Sequence, residues 1–386
     1  MMLKFGIVGA GAIAYVHAQA LLELQNEVAI VAVCDNLKDK AEALIQSFNL
    51  KAQSFDNLDT MLESVKLDCL CVCLPPALHC DYSCKALERG IHVITEKPMA
   101  MSVEQCNLMI ETAKKHNCQL GVICQNRYKT AHMRLKAMVE KEALGKVHQV
   151  TVNSLWWRGE NYYDIWWRGT WEVEGGGCLL SHGVHHLDLL LWLFGRPKSI
   201  LASISNLAHS NSQCEDFVSA ILRFDNGMQA NVTVSLVNHG EEQEIILQGE
   251  RGKLAIPFKI ASNRALENGF PEDNPESVAK LQSLYESLAE CQYEGHKAQL
   301  LHFIKAVLGQ ETLETSGECG RDVIEVIMAI YKSSVLKEEV QLPIKADDPF
   351  YKHESRIKLM PHFHEKTKSI QDFKTQKITL GRDVGK

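Results

Sequence analysis

The chain has 386 residues, 46% of them hydrophobic and 23% charged, with a formal net charge of −7. That length suits two domains, each able to bury its own core, and the apolar content excludes wholesale disorder. No apolar run approaches the roughly 18 residues of a membrane helix, and a net-acidic chain argues against general nucleic-acid binding.

Residues 1–125 alternate short apolar runs with helical stretches. KFGIVG, VAIVAVC, LDCLCVC, HVIT and QLGVIC read as strands, and 12–25, 38–49, 77–89 and 102–117 read as helices. Continuously apolar strands alternating with helices predict a parallel sheet covered on both faces. The opening MMLKFGIVGAGAIA lacks a small-residue cleavage site, so a cytoplasmic protein is expected.

Between the first strand and the first helix lies Gly9-Ala10-Gly11-Ala12-Ile13-Ala14, the G-x-G-x-x-A form of a dinucleotide fingerprint. Gly9 suits the tight turn, and Gly11 lets the backbone approach a pyrophosphate. Ala12 and Ile13 open the helix whose free N–H groups face the phosphates. Asp35, closing the second strand, is placed to accept hydrogen bonds from the adenosine ribose. That favours NAD. Lys38 nearby leaves NADP as the alternative.

A helix at about 130–143 then leads into a different pattern. KVHQVTVNSLWW, KSILASISNL, EDFVSAILRF, MQANVTVSLV, residues 241–250 and KLAIPF are extended runs, and Asp225-Asn226-Gly227 is a hairpin signal between two of them. This half is expected to be a mostly antiparallel sheet. Helices at roughly 183–194, 276–290, 296–308 and 320–336 pack on it or return to the first domain. Residues 262–275 read as a long surface loop.

Thirteen cysteines contain no C-x-x-C, and Cys69, Cys71 and Cys73 alternate with strand period. They are read as small buried hydrophobes in a reducing compartment. His182, His185, His186 and Asp188 offer metal-ligand side chains, but Gly183 interrupts their helix, and no metal is expected. Residues 346–386 form a basic extension, with nine Lys/Arg against four Asp/Glu from residue 351 onward. A solvated surface segment is the expectation there.

Thr95-Glu96-Lys97-Pro98 follows the HVIT strand, and Leu74-Pro75-Pro76-x-x-His79 precedes it. Downstream stands Gly175-Gly176-Gly177, then Ser181-His182-Gly183-Val184-His185-His186-Leu187-Asp188. Together these resemble the glucose–fructose oxidoreductase / inositol dehydrogenase (Gfo/Idh/MocA) family. The resemblance runs from residue 1 to about 345. It implies an α/β protein: an N-terminal Rossmann dinucleotide-binding domain, 1–125, and a C-terminal α/β domain with an open, mostly antiparallel sheet, 126–345. It also implies a homodimer or homotetramer, and cofactor contacts from Pro75, His79, Glu96 and Lys97.

The chemistry of two of these residues can be argued separately. Oxidising a secondary alcohol requires a base for the hydroxyl proton while hydride leaves the carbon, and a fixed cation to stabilise the developing alkoxide. A histidine meets the first need and a lysine the second. His185 and Lys97 fill these roles in the family reading, with Ser181, His182 and Asp188 around the substrate. Many relatives carry Asp where Ser181 stands. Serine brings no charge, so a lower His185 pKa than in an Asp-bearing relative is expected.

Five of the six tryptophans fall within WWRGENYYDIWWRGTW, residues 156–171. Such rings stack on sugar faces, and arginine forks pair with carboxylates or phosphates. The rings could equally fill the gap between domains. Arg127, Tyr163, Trp167 and Arg168 are the substrate candidates, Arg127 and Arg168 for an acidic group. The expected function is NAD(P)-dependent oxidation of a sugar, sugar acid, nucleotide-linked uronate or inositol. An NAD-retaining glycosidase and a non-catalytic sugar sensor are the alternatives.

Overall fold

In the computed structural model, residues 2–373 are described. The first domain runs β1 (Leu3–Val8), α1 (Ala12–Leu22), β2 (Val28–Cys34), α2 (Lys38–Ser47), β3 (Gln53–Phe55), α3 (Leu58–Ser64), β4 (Cys69–Val72), α4 (Pro76–Leu87), β5 (His92–Thr95), α5 (Val103–Lys115) and β6 (Leu120–Val122). The strands form one parallel sheet in the order β3-β2-β1-β4-β5-β6. Strand β4, Cys-Leu-Cys-Val, is wholly buried, as a strand covered on both faces should be. The order reverses between β1 and β4, and the glycine motif sits at that point, outside the carboxyl ends of the strands.

The second domain runs α6 (Thr130–Glu140), β7 (Val147–Leu155), α7 (Val184–Phe194), β8 (Ser199–Ser205), β9 (Phe217–Arg223), β10 (Gln229–Ser235), β11 (Gln243–Gly249), β12 (Gly252–Ile256), β13 (Lys259–Ala261), β14 (Asn263–Ala265), β15 (Pro271–Asp273), α8 (Pro275–Ser287), α9 (Gly295–Val307), α10 (Gly317–Leu336), β16 (Val340–Gln341) and α11 (His353–Arg356). Its eight-stranded sheet is antiparallel except where β7 and β10 pair in parallel. Asn226-Gly227 makes the β9–β10 turn, closed by Phe224 N to Met228 O at 3.0 Å. No described helix is long and apolar enough to cross a membrane.

The two late helices tie the domains together. On α9, Leu300, Phe303 and Ile304 share a core with Phe5 and Ile7 of β1 and Ala14 of α1. Along α10, Val323, Ile324 and Ile327 join a continuous core that contains residues of both sheets. All thirteen cysteines are free and most are buried, as packing residues would be.

Three expectations are corrected. Residues 53–64 hold an extra strand and helix: β3 is only three residues long, and α3, of seven residues, turns Leu58, Met61 and Leu62 inward at helical spacing. The supposed loop 262–275 is the exposed β14–β15 hairpin. The described part of the C-terminal extension, residues 346–373, is anchored to the body rather than free of it, and residues 374–386 lie outside the described residues. Phe350 and Arg356 are buried, and Arg356 Nη2 donates to Gly175 O at 2.8 Å. Trp171 Nε1 donates to Pro361 O at 2.9 Å, and Asn211 Oδ1 accepts from Thr367 N and Lys368 N. Ile370 N donates to Asp164 O at 2.8 Å and Ile370 O accepts from Trp166 N at 2.9 Å. Near the last described residues this strap reaches the first domain, where Lys40 of α2 meets Asp372 at 2.5 Å.

Candidate active site

The glycine loop fits a dinucleotide. Gly9 has φ +87°, and a Cβ there would lie 2.3 Å from the Cys73 carbonyl oxygen, so only glycine is tolerated. A Cβ on Gly11 would meet nothing within 4 Å, which leaves the backbone open at the mouth of α1. No side chain caps α1, so the N–H groups of Ala12 and Ile13 remain for a phosphate. Asp35 accepts from Ala10 N at 2.8 Å and from Leu37 N at 2.9 Å, which fixes its carboxylate beside that loop.

Lys97 follows β5, and its ammonium donates to Ser181 O at 3.0 Å. Ser181 and His182 lie on a wide π-type turn, Leu179–Gly183, that leads into α7. Lys97 and His185 line one crevice with Val122, Cys124, Val184 and Ile324. Burial lowers the Lys97 pKa from its ordinary value. Burial, then the Lys97 charge and His186, hold His185 well below the ordinary histidine value, so the ring is neutral.

Ser181 is engaged within its own turn. Its hydroxyl donates to Gly177 O at 2.8 Å, and its oxygen lies 2.8 Å from His182 Nδ1. A hydroxyl has one proton, so Nδ1 of His182 is the donor of that second bond and Nε2 is left as an acceptor. Burial and the charges of Arg158, Lys97 and Arg168 depress the His182 pKa too.

Four other expected contact residues, Arg127, Asp188, Tyr163 and His79, are buried inside the protein. Arg127 and Asp188 pair with each other, Nε to Oδ2 at 2.9 Å and Nη2 to Oδ1 at 2.7 Å, both nearly inaccessible. Neither is free for a substrate. The Tyr163 ring is buried against Tyr162 and His209. His79 is buried with both ring nitrogens 2.7 Å from carbonyl oxygens, of Pro98 and Leu74, so it clips two loops rather than facing the cofactor. Those carbonyls favour its charged form, but burial outweighs them and lowers its pKa. Pro75 starts α4 in extended conformation, and its carbonyl accepts from Leu78 N at 3.0 Å.

The aromatic block divides. Trp156 and Trp171 are buried, while Trp157 and Trp166 are exposed. Around Tyr162, the neighbour of the candidate Tyr163, Arg168 stacks at 4.1 Å and Arg158 at 5.7 Å, and Arg168 also covers Trp167 at 4.3 Å. Arg168 bonds Tyr162 Oη and approaches Glu174 at 3.4 Å. Glu174 is buried, its carboxyl raised to about 7 by burial against the pull of Arg168. The strap adds Lys366, bonded to Tyr163 O. Arg158 was legible within the block, whereas nothing local marked Glu174 or Lys366.

Glu96 faces inward. One carboxylate oxygen meets His17 Nε2 at 2.8 Å, and the other accepts from Lys97 N at 3.1 Å. His296 Nε2 stands 3.9 Å from the first of these oxygens.

Comparison with known proteins agrees with this geometry. Residues 3–124 match the model of the GFO/IDH/MocA oxidoreductase family with its NAD-binding Rossmann fold, and residues 132–255 match that family's C-terminal domain. D-glucoside 3-dehydrogenase of Escherichia coli is 28% identical over 360 residues, 88% of this chain and 97% of the relative. Inositol 2-dehydrogenase of Rhizobium meliloti is 22% identical across 89% of this chain and all of its own. Among solved structures, the WlbA dehydrogenase of Bordetella pertussis, in complex with NADH and UDP-GlcNAcA, superposes with a TM-score of 0.77 at 27% identity, covering 89% of this chain and 99% of its own. The sequence motifs, the sheet with its glycine loop and these relatives agree: the chain is a member of the Gfo/Idh/MocA family of NAD-dependent oxidoreductases.

Proposed function

We propose that the protein oxidises a secondary alcohol on a sugar that carries an acidic group, such as a uronate, a nucleotide-linked uronate or a sugar phosphate. The observation that supports this is the cationic wall beside Lys97. Arg158 and Arg168 share the face of Tyr162, and both act with Lys97 on the His182 ring. Of the two arginine candidates, Arg127 is spent on Asp188 and Arg168 remains; Arg158, paired with Glu241 at 2.6 Å, adds to the wall without being free to anchor the group. The WlbA dehydrogenase complex with a nucleotide-linked uronate is consistent with this reading.

Bound NAD supplies the hydride acceptor. His185, kept neutral by burial and by Lys97, accepts the hydroxyl proton, and the Lys97 ammonium stabilises the alkoxide. Arg168 holds the acidic group, its stacked guanidinium keeping N–H donors beyond those used by Tyr162 and Glu174. The crevice around Lys97 is largely apolar, which strengthens these charges by excluding water.

Following NADH absorbance across uronates, nucleotide-linked uronates, sugar phosphates, neutral glucosides and inositols tests this. The acidic sugars should show the highest kcat/KM. Arg168→Gln should raise KM for them by roughly 10-fold or more, as loss of a charge-assisted bond would, and change neutral substrates little. Preference for a neutral polyol, indifferent to Arg168→Gln, would overturn the reading.

A further inference from the structure

Behind Lys97, four parts of the fold meet around one buried carboxylate. Glu96 comes from the end of β5, His17 from α1, His296 from the first turn of α9, and Cys71 and Cys73 from the end of β4. The His17 side chain is fully buried and that of Glu96 nearly so. Their contact is 2.8 Å, while the second Glu96 oxygen holds the backbone N–H of Lys97 at 3.1 Å. His17 lies three residues after Ala14, on the helix whose mouth is the glycine loop. One side-chain pair therefore joins the phosphate-binding helix to the lysine-bearing turn.

We propose that His17 is a positioning residue for Lys97: as an imidazolium it pins the Glu96 carboxylate whose other oxygen fixes the Lys97 backbone, and it offsets the carboxylate charge next to the ammonium. A neutral histidine could supply one hydrogen bond here. A bare carboxylate walled in by strands and helices needs a countercharge.

The surroundings assign that countercharge to His17. Burial opposes charge on His17, but the Cys73 and Cys71 sulfurs and Glu96 outweigh it and raise its pKa well above the ordinary value. Burial raises the Cys73 thiol while His17 pulls it the other way, and the partner in direct contact with His17 is the Glu96 carboxylate at 2.8 Å. Burial alone would raise the Glu96 carboxyl, and His17 with its neighbours brings it down to about 2. His296 is lowered to about 4, by burial and then by His17, so it stays neutral near pH 7. Lys97 itself feels Glu96 as a raising influence against burial.

This inference rests on Lys97 being the cation of the proposed reaction. His17→Gln keeps a hydrogen-bond donor and removes the charge. The expected result is a fall in kcat of roughly 10-fold or more with NADH still bound, since a small misplacement of a reacting group is costly. With Glu96 less compensated, Lys97 should keep its proton to higher pH, so the basic limb of the pH–rate profile moves up. Glu96→Gln should move that limb down. A purely structural role would not shift the limb in opposite directions. Should His17→Gln fail to fold, imidazole NMR of the wild-type protein decides, with His17 expected doubly protonated at pH 7. Wild-type kinetics in folded His17→Gln, a neutral His17 ring at pH 7, or a stoichiometric divalent ion found in the purified protein would each overturn the proposal. An active Lys97→Ala variant would instead overturn the function reading on which it rests.

Discussion

Replacing Lys97 by alanine is expected to lower kcat by roughly 10²–10³-fold, the scale seen when a preorganised donor to a developing oxyanion is removed. The ammonium stands 3.0 Å from Ser181 O, held on a turn that His79 clips from behind and Glu96 fixes through the backbone. It is therefore in place before substrate arrives. Lys97→Met, similar in volume but without charge, should be as impaired as the alanine variant if charge is what matters. NADH titration by fluorescence separates a chemical defect from loss of cofactor. Near-wild-type turnover in either variant would remove Lys97 from the reaction.

The pH–rate profile of alcohol oxidation carries the same signature. His185 must be neutral, and its pKa lies below the ordinary 6.5, so the acid limb should fall below pH 6.5. Lys97 must be charged, and its pKa lies below the ordinary 10.5, so activity should decline before pH 10.5 as the ammonium is lost. Lys97→Met should abolish the basic limb and move the acid limb to higher pH, since the Lys97 charge helps hold the His185 pKa down.

The second large effect concerns stability. Asp188→Ala should destabilise the fold by about 3–5 kcal/mol, because it strands the Arg127 guanidinium in the interior. Only 5% of the Arg127 side chain and 4% of the Asp188 side chain are exposed. The other Arg127 contacts, Glu314 O at 3.3 Å, Cys319 Sγ at 4.0 Å and the Trp192 ring at 5.7 Å, bring no carboxylate counter-ion. Replacing both residues together, Arg127→Met with Asp188→Leu, should recover much of the loss, since no lone charge remains buried. Chemical denaturation of the two variants measures this. A single variant as stable as wild type would mean that the pair is not closed in solution.

How much of this was legible follows from distance along the chain. Strands β1, β2, β4, β5 and β6 showed themselves because both faces are covered and most positions are apolar. By contrast β3, Gln-Ser-Phe, is short and half-exposed, so it carried no pattern. In the site, Lys97, Ser181, His182 and His185 converge as the motifs implied. The errors arose where a partner is remote in sequence. Arg127 looked like a substrate anchor because Asp188, 61 residues onward, was read as a second one. His17 drew no notice because its partner lies 79 residues away. The basic tail looked soluble because its sequence is polar, yet its contacts are backbone groups pairing with Asp164, Trp166 and Asn211.

That strap has a kinetic consequence. Its last described link, Lys40 to Asp372, joins the two domains through side chains that are 32% and 47% exposed. Such a pair contributes at most about 1 kcal/mol and is screened by salt. It is therefore a weak, salt-sensitive tie between the strap and α2, the helix that follows Asp35. NADH release measured by stopped flow should quicken with ionic strength, and Asp372→Asn should remove that dependence.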